Sequence, residues 1–239
     1  DAFPMKDGTP YVKSNPETNP YDYRDPRLRA TVVWNGDTYG PRNEKVYTFV
    51  SESTDPNSPM YNFDGIDSHQ SATSTGYYMR KMTDESLDGT KGDYGYGKGS
   101  YTQWVELRYA EVLLGLAEAA NEIGETEEGV EQLKLIRKRA GIGGTSDPYL
   151  EQCAGDRDKM ANLIRNERRL ELCFEGFRFW DLRRWKSNLT ETAKGMNISG
   201  TRYTPMEVDK RSFSEYMYYG PIPYSEVLKY DELKQNQGW

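Results

Sequence analysis

The chain has 239 residues, a formal net charge of −7, one histidine, 19 Tyr and 5 Trp. That length supports one sizeable core, or one domain with long excursions. The acidic balance, with a pI of about 5.0, argues against a nucleic-acid surface, and no run approaches the ~18 apolar residues of a membrane helix.

Residues 1–100 read as excursion loops carrying small strand pairs. Turn formers crowd there: Asn15-Pro16, Asn19-Pro20, Asp25-Pro26, Asn35-Gly36, Asp55-Pro56 and the run Gly92–Gly99. Between them lie strand-like runs at Leu28–Trp34, Lys45–Val50 and Tyr77–Lys81. Asn35-Gly36, directly after Thr31–Trp34, signals a hairpin.

The same loops hold the chemistry of a sugar site, which pairs aromatic platforms with amide and carboxylate hydrogen-bonders. The candidate ligand-binding residues are Trp34, Asn35, Tyr39, Tyr61 and Phe63. Trp34 and Tyr39 rank first, and Asp37, Arg42, Asn43 and Asp64 supply polar neighbours. Taken singly, each ring packs more often under its own loop; taken together, they predict at least one exposed platform. Neither Asp64–Asp67, which lacks a calcium-loop spacing, nor the lone His69 supports a metal site. Gly95-x-Gly97-x-Gly99 lacks the strand and helix that a phosphate loop requires.

Residues 101–140 predict a helical hairpin, Trp104–Ile123 followed by Glu127–Ala140. The two helices are expected to pack antiparallel along Val112, Leu116, Ala120, Leu133 and Ile136. Thr126 is the expected cap, with Glu127 and Glu128 where the dipole favours them. Alanines facing a second helix of this length look like a tetratricopeptide unit. One such unit cannot bury both faces, so it is expected to stack on helices outside this chain.

After a linker at Gly141–Gly155, residues 156–239 open with Leu163–Trp185, LIRNERRLELCFEGFRFWDLRRW. Met160, Leu163, Ile164, Leu170 and Phe174 form a helical apolar stripe, with Arg165, Glu167, Arg168, Arg169 and Glu171 off it. Gly176 suits a left-handed helix stop. Arg178, Trp180, Asp181 and Trp185 are expected to be largely buried as an organising cluster. Glu167, Glu171 and Glu175 resemble a hydrolytic carboxylate set only superficially. They sit at four-residue steps beside arginines, whereas a glycosidase opposes two carboxylates across its substrate. Cys173 is expected to act as a small buried apolar residue. A loop at Ser187–Lys210 and an extended Tyr216–Pro223 complete the chain.

Leu163–Trp185 also resembles, letter by letter, the signature near the C-terminus of SusD/RagB nutrient-binding lipoproteins. Further pieces follow in the family's order: Pro4–Gly8 (PMKDG), Asp25–Leu28 (DPRL), Thr75–Lys81 (TGYYMRK), Trp104–Glu122 and Ile136–Gly141 (IRKRAG). The ending matches at Pro221–Pro223, Glu226 and Gln235–Trp239, with Gln237 where the family has proline.

The resemblance implies a mainly α fold with loop-rich excursions, small β hairpins and a tetratricopeptide-type helical hairpin, corresponding to the C-terminal half of such a protein. It implies a non-enzymatic, cofactor-free, surface-exposed subunit that binds an oligosaccharide ligand at the outer membrane. Its partner would be a SusC/RagA-type TonB-dependent transporter. Membrane attachment would run only through a lipid anchor that this chain does not carry. Family ligand residues vary between members, so none carries over individually. The competing expectation is a peptide-binding or protein-protein helical scaffold.

Overall fold

The computed structural model describes residues 1–13, 15–88, 91–92 and 99–239; Gly95 and Gly97 of the glycine run lie outside the described residues. Helices dominate. In chain order, α1 is Pro26–Thr31, α2 Tyr109–Glu122, α3 Thr126–Ala140, α4 Pro148–Ala154, α5 Arg157–Glu171, α6 Phe177–Arg184 and α7 Tyr224–Val227. Strands β1 (Val32–Val33), β2 (Thr38–Tyr39), β3 (Glu44–Lys45), β4 (Tyr78–Met79), β5 (Ala193–Ser199) and β6 (Arg202–Asp209) form three two-stranded sheets.

The core lies between α2, α3, α4 and α5, where Leu114, Leu133, Leu150, Met160 and Ile164 are fully or almost fully enclosed. Each such side chain stabilises the fold by roughly 1.5–3 kcal/mol. α2 and α3 form the expected hairpin and approach closely because the contact is built from small residues. A Cβ on Gly129 would sit 3.1 Å from the Ala117 carbonyl oxygen. Gly124 (φ 91°) and Gly141 (φ 78°) stop the two helices in left-handed conformations.

Two details of the hairpin differ from expectation. α2 begins at Tyr109, so residues 104–108 are not helical. Its buried face is Leu113, Leu114, Ala117, Ala120 and Asn121, while Val112 and Leu116 are exposed together with Tyr109 and Ile123. α2 carries apolar residues over more than half its circumference, and periodicity alone could not say which part α3 and α5 would cover. Thr126 is the first residue of α3, not its cap, and its hydroxyl donates to Asn121 Oδ1 at 3.3 Å.

Asp156 caps α5 through the amides of Asp158 and Lys159, each at 3.0 Å. Met160, Leu163, Ile164 and Leu170 face the core as the stripe predicts. The helix ends at Glu171, however, and Phe174 (φ 64°) is exposed in a turn. Gly176 (φ 87°) therefore opens α6 instead of closing α5. Glu167, Arg168 and Glu171, expected off the apolar face, are buried because they neutralise one another and their neighbours.

In α6 Phe177 and Asp181 turn inward, as does Trp185 just past its end, while Arg184 is exposed. Asp181 is buried, Arg178 and Trp185 are half-buried, and Trp180 is 68% exposed. The expectation of a buried Trp180 thus fails by a rotation of about 100° along the helix from Asp181. Cys173 is half-buried, and it is Cys153 that fills the small apolar core position.

Among residues 1–88, Leu28–Thr31 is helical rather than strand-like. The Asp25 carboxylate accepts from the Arg27 amide at 2.8 Å and Pro26 fixes the first turn, so local capping overrides β-branched propensity. β1 pairs with β4 (Val32↔Met79, Val33↔Tyr78), and the hairpin is β2–β3, closed by Gly40 (φ 76°) and Asn43 (φ 52°). Asn35-Gly36 turns the chain from β1 into that hairpin.

The stretch expected as a loop, Ser187–Lys210, contains the long hairpin β5–β6, turning at Gly200 (φ 60°). Its polar alternation hid it. The 75–77 segment crosses β5 at two glycines, where a Cβ on Gly195 would lie 2.6 Å from Thr75 O and one on Gly76 2.5 Å from Met196 O. At the C-terminus the expected extension is interrupted by a 3-10 turn at Glu215–Tyr218. Gln235 then clasps Ile222 through both its backbone groups at 2.8 Å.

Candidate functional site

Two constellations contend for function, and the acidic one is structural. Glu167 ion-pairs with Arg27 (2.6 Å) and Arg137 (3.1 Å). Glu171 meets Arg27 (3.0 Å), Arg108 (2.7 Å) and Arg139 (2.5 Å), and Glu175 meets Arg108 (2.7 Å) and Lys81 (2.5 Å). Burial pushes the Glu171 and Glu175 carboxyls up, but the facing cations, Arg108 foremost, outweigh it and hold both below the usual range. A general acid needs the opposite shift.

Several of the motifs send partners into this network, and Ile136–Gly141 supplies both Arg137 and Arg139. Pro4–Gly8 places the Gly8 carbonyl on Arg137 (3.1 Å), DPRL supplies Arg27, TGYYMRK supplies Lys81, and LRYAE supplies Arg108. These motifs, far apart in the sequence, meet as separate contacts of one buried charge cluster, while the ending around Pro221 and Gln235 lies outside it. Nearby, Asp181 accepts from Arg168 (3.1 and 3.2 Å) and Arg184 (2.9 Å), clamping α6 on α5. Glu118 of α2 takes Arg184 and the Trp185 indole N–H, all at 2.6 Å.

The second constellation is the loop group around β2–β3. Asn35 Oδ1 accepts from the Thr48 amide (2.8 Å), Thr48 Oγ1 donates to Gly76 O (3.0 Å), and Asn62 Nδ2 donates to Phe49 O (2.8 Å). These bonds tie the hairpin, its outgoing strand and the loop bearing Tyr61 and Phe63 into one unit. Trp34 is half-buried, stacked on Tyr21 with centroids 4.8 Å apart, and Tyr21 in turn meets Tyr77 and Tyr203 edge-on. Tyr39 is half-exposed, with the Arg80 guanidinium 5.6 Å from its centroid. It lines a cavity of about 180 Å³ with Val33, Val46, Asp64, Tyr78 and Met79.

Trp34 and Tyr39 therefore face different surroundings. Tyr61 donates its hydroxyl to Ser68 O (3.2 Å), and Phe63, 63% exposed, lies against the His69 ring at 4.3 Å. Of the polar neighbours, Asp37 is buried between Arg29 (3.0 Å) and Arg80 (2.8 Å), and Arg42 pairs with Glu44 at 3.3 Å. The Asn35 carbonyl oxygen is spent on Thr48. Asp64 is the polar group left at the cavity wall. Burial raises its carboxyl above the usual range, with His69 acting in the opposite sense.

Sequence reasoning did not pick out Tyr21, Tyr78 or Arg80 as parts of this unit. Their contacts span 13 residues of chain for Tyr21 on Trp34 and 43 for Arg80 on Asp37, and the TGYYMRK segment gave a local signal for two of them.

The family comparison agrees with this architecture. The model of the SusD family matches residues 1–239, and the chain belongs to that family. SusD-like protein P2 of Formosa agariphila is 41% identical over 142 residues, which are 59% of this chain and 26% of that protein. SusD-like protein P38 of the same organism is 36% identical over 83 residues, 34% of this chain and 16% of its own length. The fold matches a SusD-like protein of Bacteroides fragilis with a TM-score of 0.76 and 29% identity, covering 100% of this chain and 46% of that one. A second B. fragilis structure, described as a SusD-like carbohydrate-binding protein, gives a TM-score of 0.71 and 26% identity over 95% of this chain and 45% of its own. The chain thus spans less than half the length of these relatives.

Proposed function

We propose that this chain belongs to a non-enzymatic binding protein of the bacterial outer-membrane surface, which holds an oligosaccharide and delivers it to a SusC/RagA-type TonB-dependent transporter. The supporting observation is the loop unit around β2–β3. There Trp34 and Tyr39 are each half-buried, Trp34 stacked on Tyr21 at 4.8 Å and Tyr39 with the Arg80 guanidinium 5.6 Å from its centroid. A braced ring meets a sugar's apolar C–H face without ordering itself on binding. Asn35, Tyr61 and Phe63 complete the assigned group, and the carbohydrate-binding relative of like fold supports the reading. The low-held Glu171 and Glu175 carboxyls fit a binding role better than hydrolysis.

Calorimetry on the full-length protein against an oligosaccharide panel tests this. Trp34→Ala and Tyr39→Ala should each weaken the cognate glycan about tenfold, the effect of losing one stacked ring. Unchanged affinity in both variants, with the fold intact, removes the site from these loops. The exposed apolar stripe Tyr109, Val112 and Leu116 on α2, continued by Ile123 at its C-cap, favours a second reading, a peptide or protein scaffold. Peptide and glycan arrays run side by side separate the two.

A further inference from the structure

The end of α6 and the 3-10 turn Glu215–Tyr218 enclose a cleft of about 540 Å³ lined by Trp180, Arg183, Lys186, Glu215, Tyr218 and Tyr219. Its rings are exposed yet held. Trp180, 68% exposed, stands edge-on to Phe179 at 5.0 Å, and the Arg183 guanidinium covers the Phe179 ring 3.4 Å from its centroid. Tyr219 is 72% exposed while its backbone carbonyl accepts the Trp239 indole N–H at 2.9 Å. Tyr218 packs edge-on against Phe213 at 4.8 Å.

The charges around these rings are unequal. Arg184 is matched by Glu118 and Asp181. Arg183 donates only to the Phe179 carbonyl, at 3.2 Å, and neither it nor Lys186 pairs with a carboxylate among the described residues. Lys186 is presented by a left-handed turn (φ 47°) at the helix end. Against these two cations the cleft sets one exposed carboxylate, Glu215. A net-positive cleft in a protein of charge −7 selects for anions.

We propose that this cleft is a second carbohydrate subsite, and that it takes an oligosaccharide bearing carboxylate or sulfate groups. Trp180 and Tyr219 supply faces for apolar sugar C–H groups. Arg183, whose planar fork matches carboxylate and sulfate oxygens, and Lys186 supply the anion contacts. Glu215 accepts from ring hydroxyls. The inference rests on the glycan-binding reading above and adds the charge of the ligand.

The test uses the full-length protein and calorimetry with three probes: an oligouronate, a sulfated galactan oligosaccharide and a neutral dextrin oligosaccharide. An anionic probe should bind more tightly than dextrin and should weaken as salt rises from about 0.05 to 0.5 M, where screening shortens from over 10 Å to a few. Trp180→Ala should weaken it about fivefold, and the double variant Arg183→Gln, Lys186→Gln about tenfold. The uronate and sulfate arms tell which anion is preferred. Trp34→Ala, Tyr39→Ala protein, run in parallel, should retain the Trp180-dependent component. If it does so while the loop variants have no effect of their own, the loop assignment fails and the cleft stands. Equal binding of neutral and anionic probes, or full affinity in both cleft variants, overturns the proposal. So does a Trp180 that iodide cannot quench in the full-length protein, since the cleft would then be covered.

Discussion

Asp181 shows how one side chain organises the signature. It is buried and neutralises Arg168 of α5 and Arg184 of its own helix within 3.2 Å, and Arg168 is as buried as its partner. Removing the carboxylate strands a cation in low dielectric, which generally costs more than the pair itself contributes. Asp181→Ala should lower stability by about 3 kcal/mol, read as a fall in urea midpoint at unchanged slope. Asp181→Asn, which keeps one acceptor, should lose less. Equal midpoints for wild type and Asp181→Ala would falsify the structural role. Trp180, its neighbour in sequence, should tolerate substitution with a change within about 0.5 kcal/mol, as an exposed side chain does.

At the scale of elements, the α2–α3 hairpin separates positions that the sequence renders alike. Leu114 has no exposed surface and Leu116 is 44% exposed, though both are leucines on one helix. Leu114→Ala removes buried methyl groups and leaves a cavity against α3 and α5, so it should cost about 2–5 kcal/mol. Leu116→Ala should cost under about 1 kcal/mol. Thermal melts of the two variants decide the matter, and comparable losses would mean that the helix is rotated from its described orientation.

The whole molecule is joined by charge as much as by its apolar core. Arg27, Lys81, Arg108, Arg137 and Arg139 arrive from four separate stretches of chain to meet carboxylates on or just after α5. Glu171 and Glu175 have folded-state pKa values below their ordinary ones, and so does Glu118. A depressed carboxyl contributes stability that is present above its unfolded pKa, about 4.3 for Glu, and lost as pH falls through that value toward the folded one. Stability should therefore hold from neutrality to about pH 5 and then fall steeply. Arg108, a quarter exposed, serves two of these carboxylates. Arg108→Gln should cost about 2 kcal/mol at neutral pH, since Arg27, Arg139 and Lys81 remain, and should flatten the acid slope. Urea midpoints collected from pH 7 to 3 test this; parallel curves for variant and wild type would remove Arg108 from the account.

What the sequence by itself determined was local chemistry and family. The Leu133–Ile136 register of α3 and the apolar stripe Met160–Leu170 were written in helical spacing, whereas the cations that pair with Glu167, Glu171 and Glu175 come from distant stretches and not from the arginines of the same helix. The ordered motifs from Pro4 to Trp239 placed the chain in the SusD family, which the family match over residues 1–239 shows. Tertiary structure decided whatever depended on which neighbour arrived. Val112 and Leu116 face outward because α3 and α5 cover only one side of α2, and Trp180 faces outward because Asp181 fixes the rotation of α6. Leu28–Thr31 coils because Asp25 caps it, and the 75–77 segment seats on β5 because two glycines let Thr75 approach Met196. At α2 and α6 the deciding contacts come from elements distant in sequence, whereas at Leu28–Thr31 a local cap is enough, because each of these contacts outweighs a propensity worth under about 1 kcal/mol per residue.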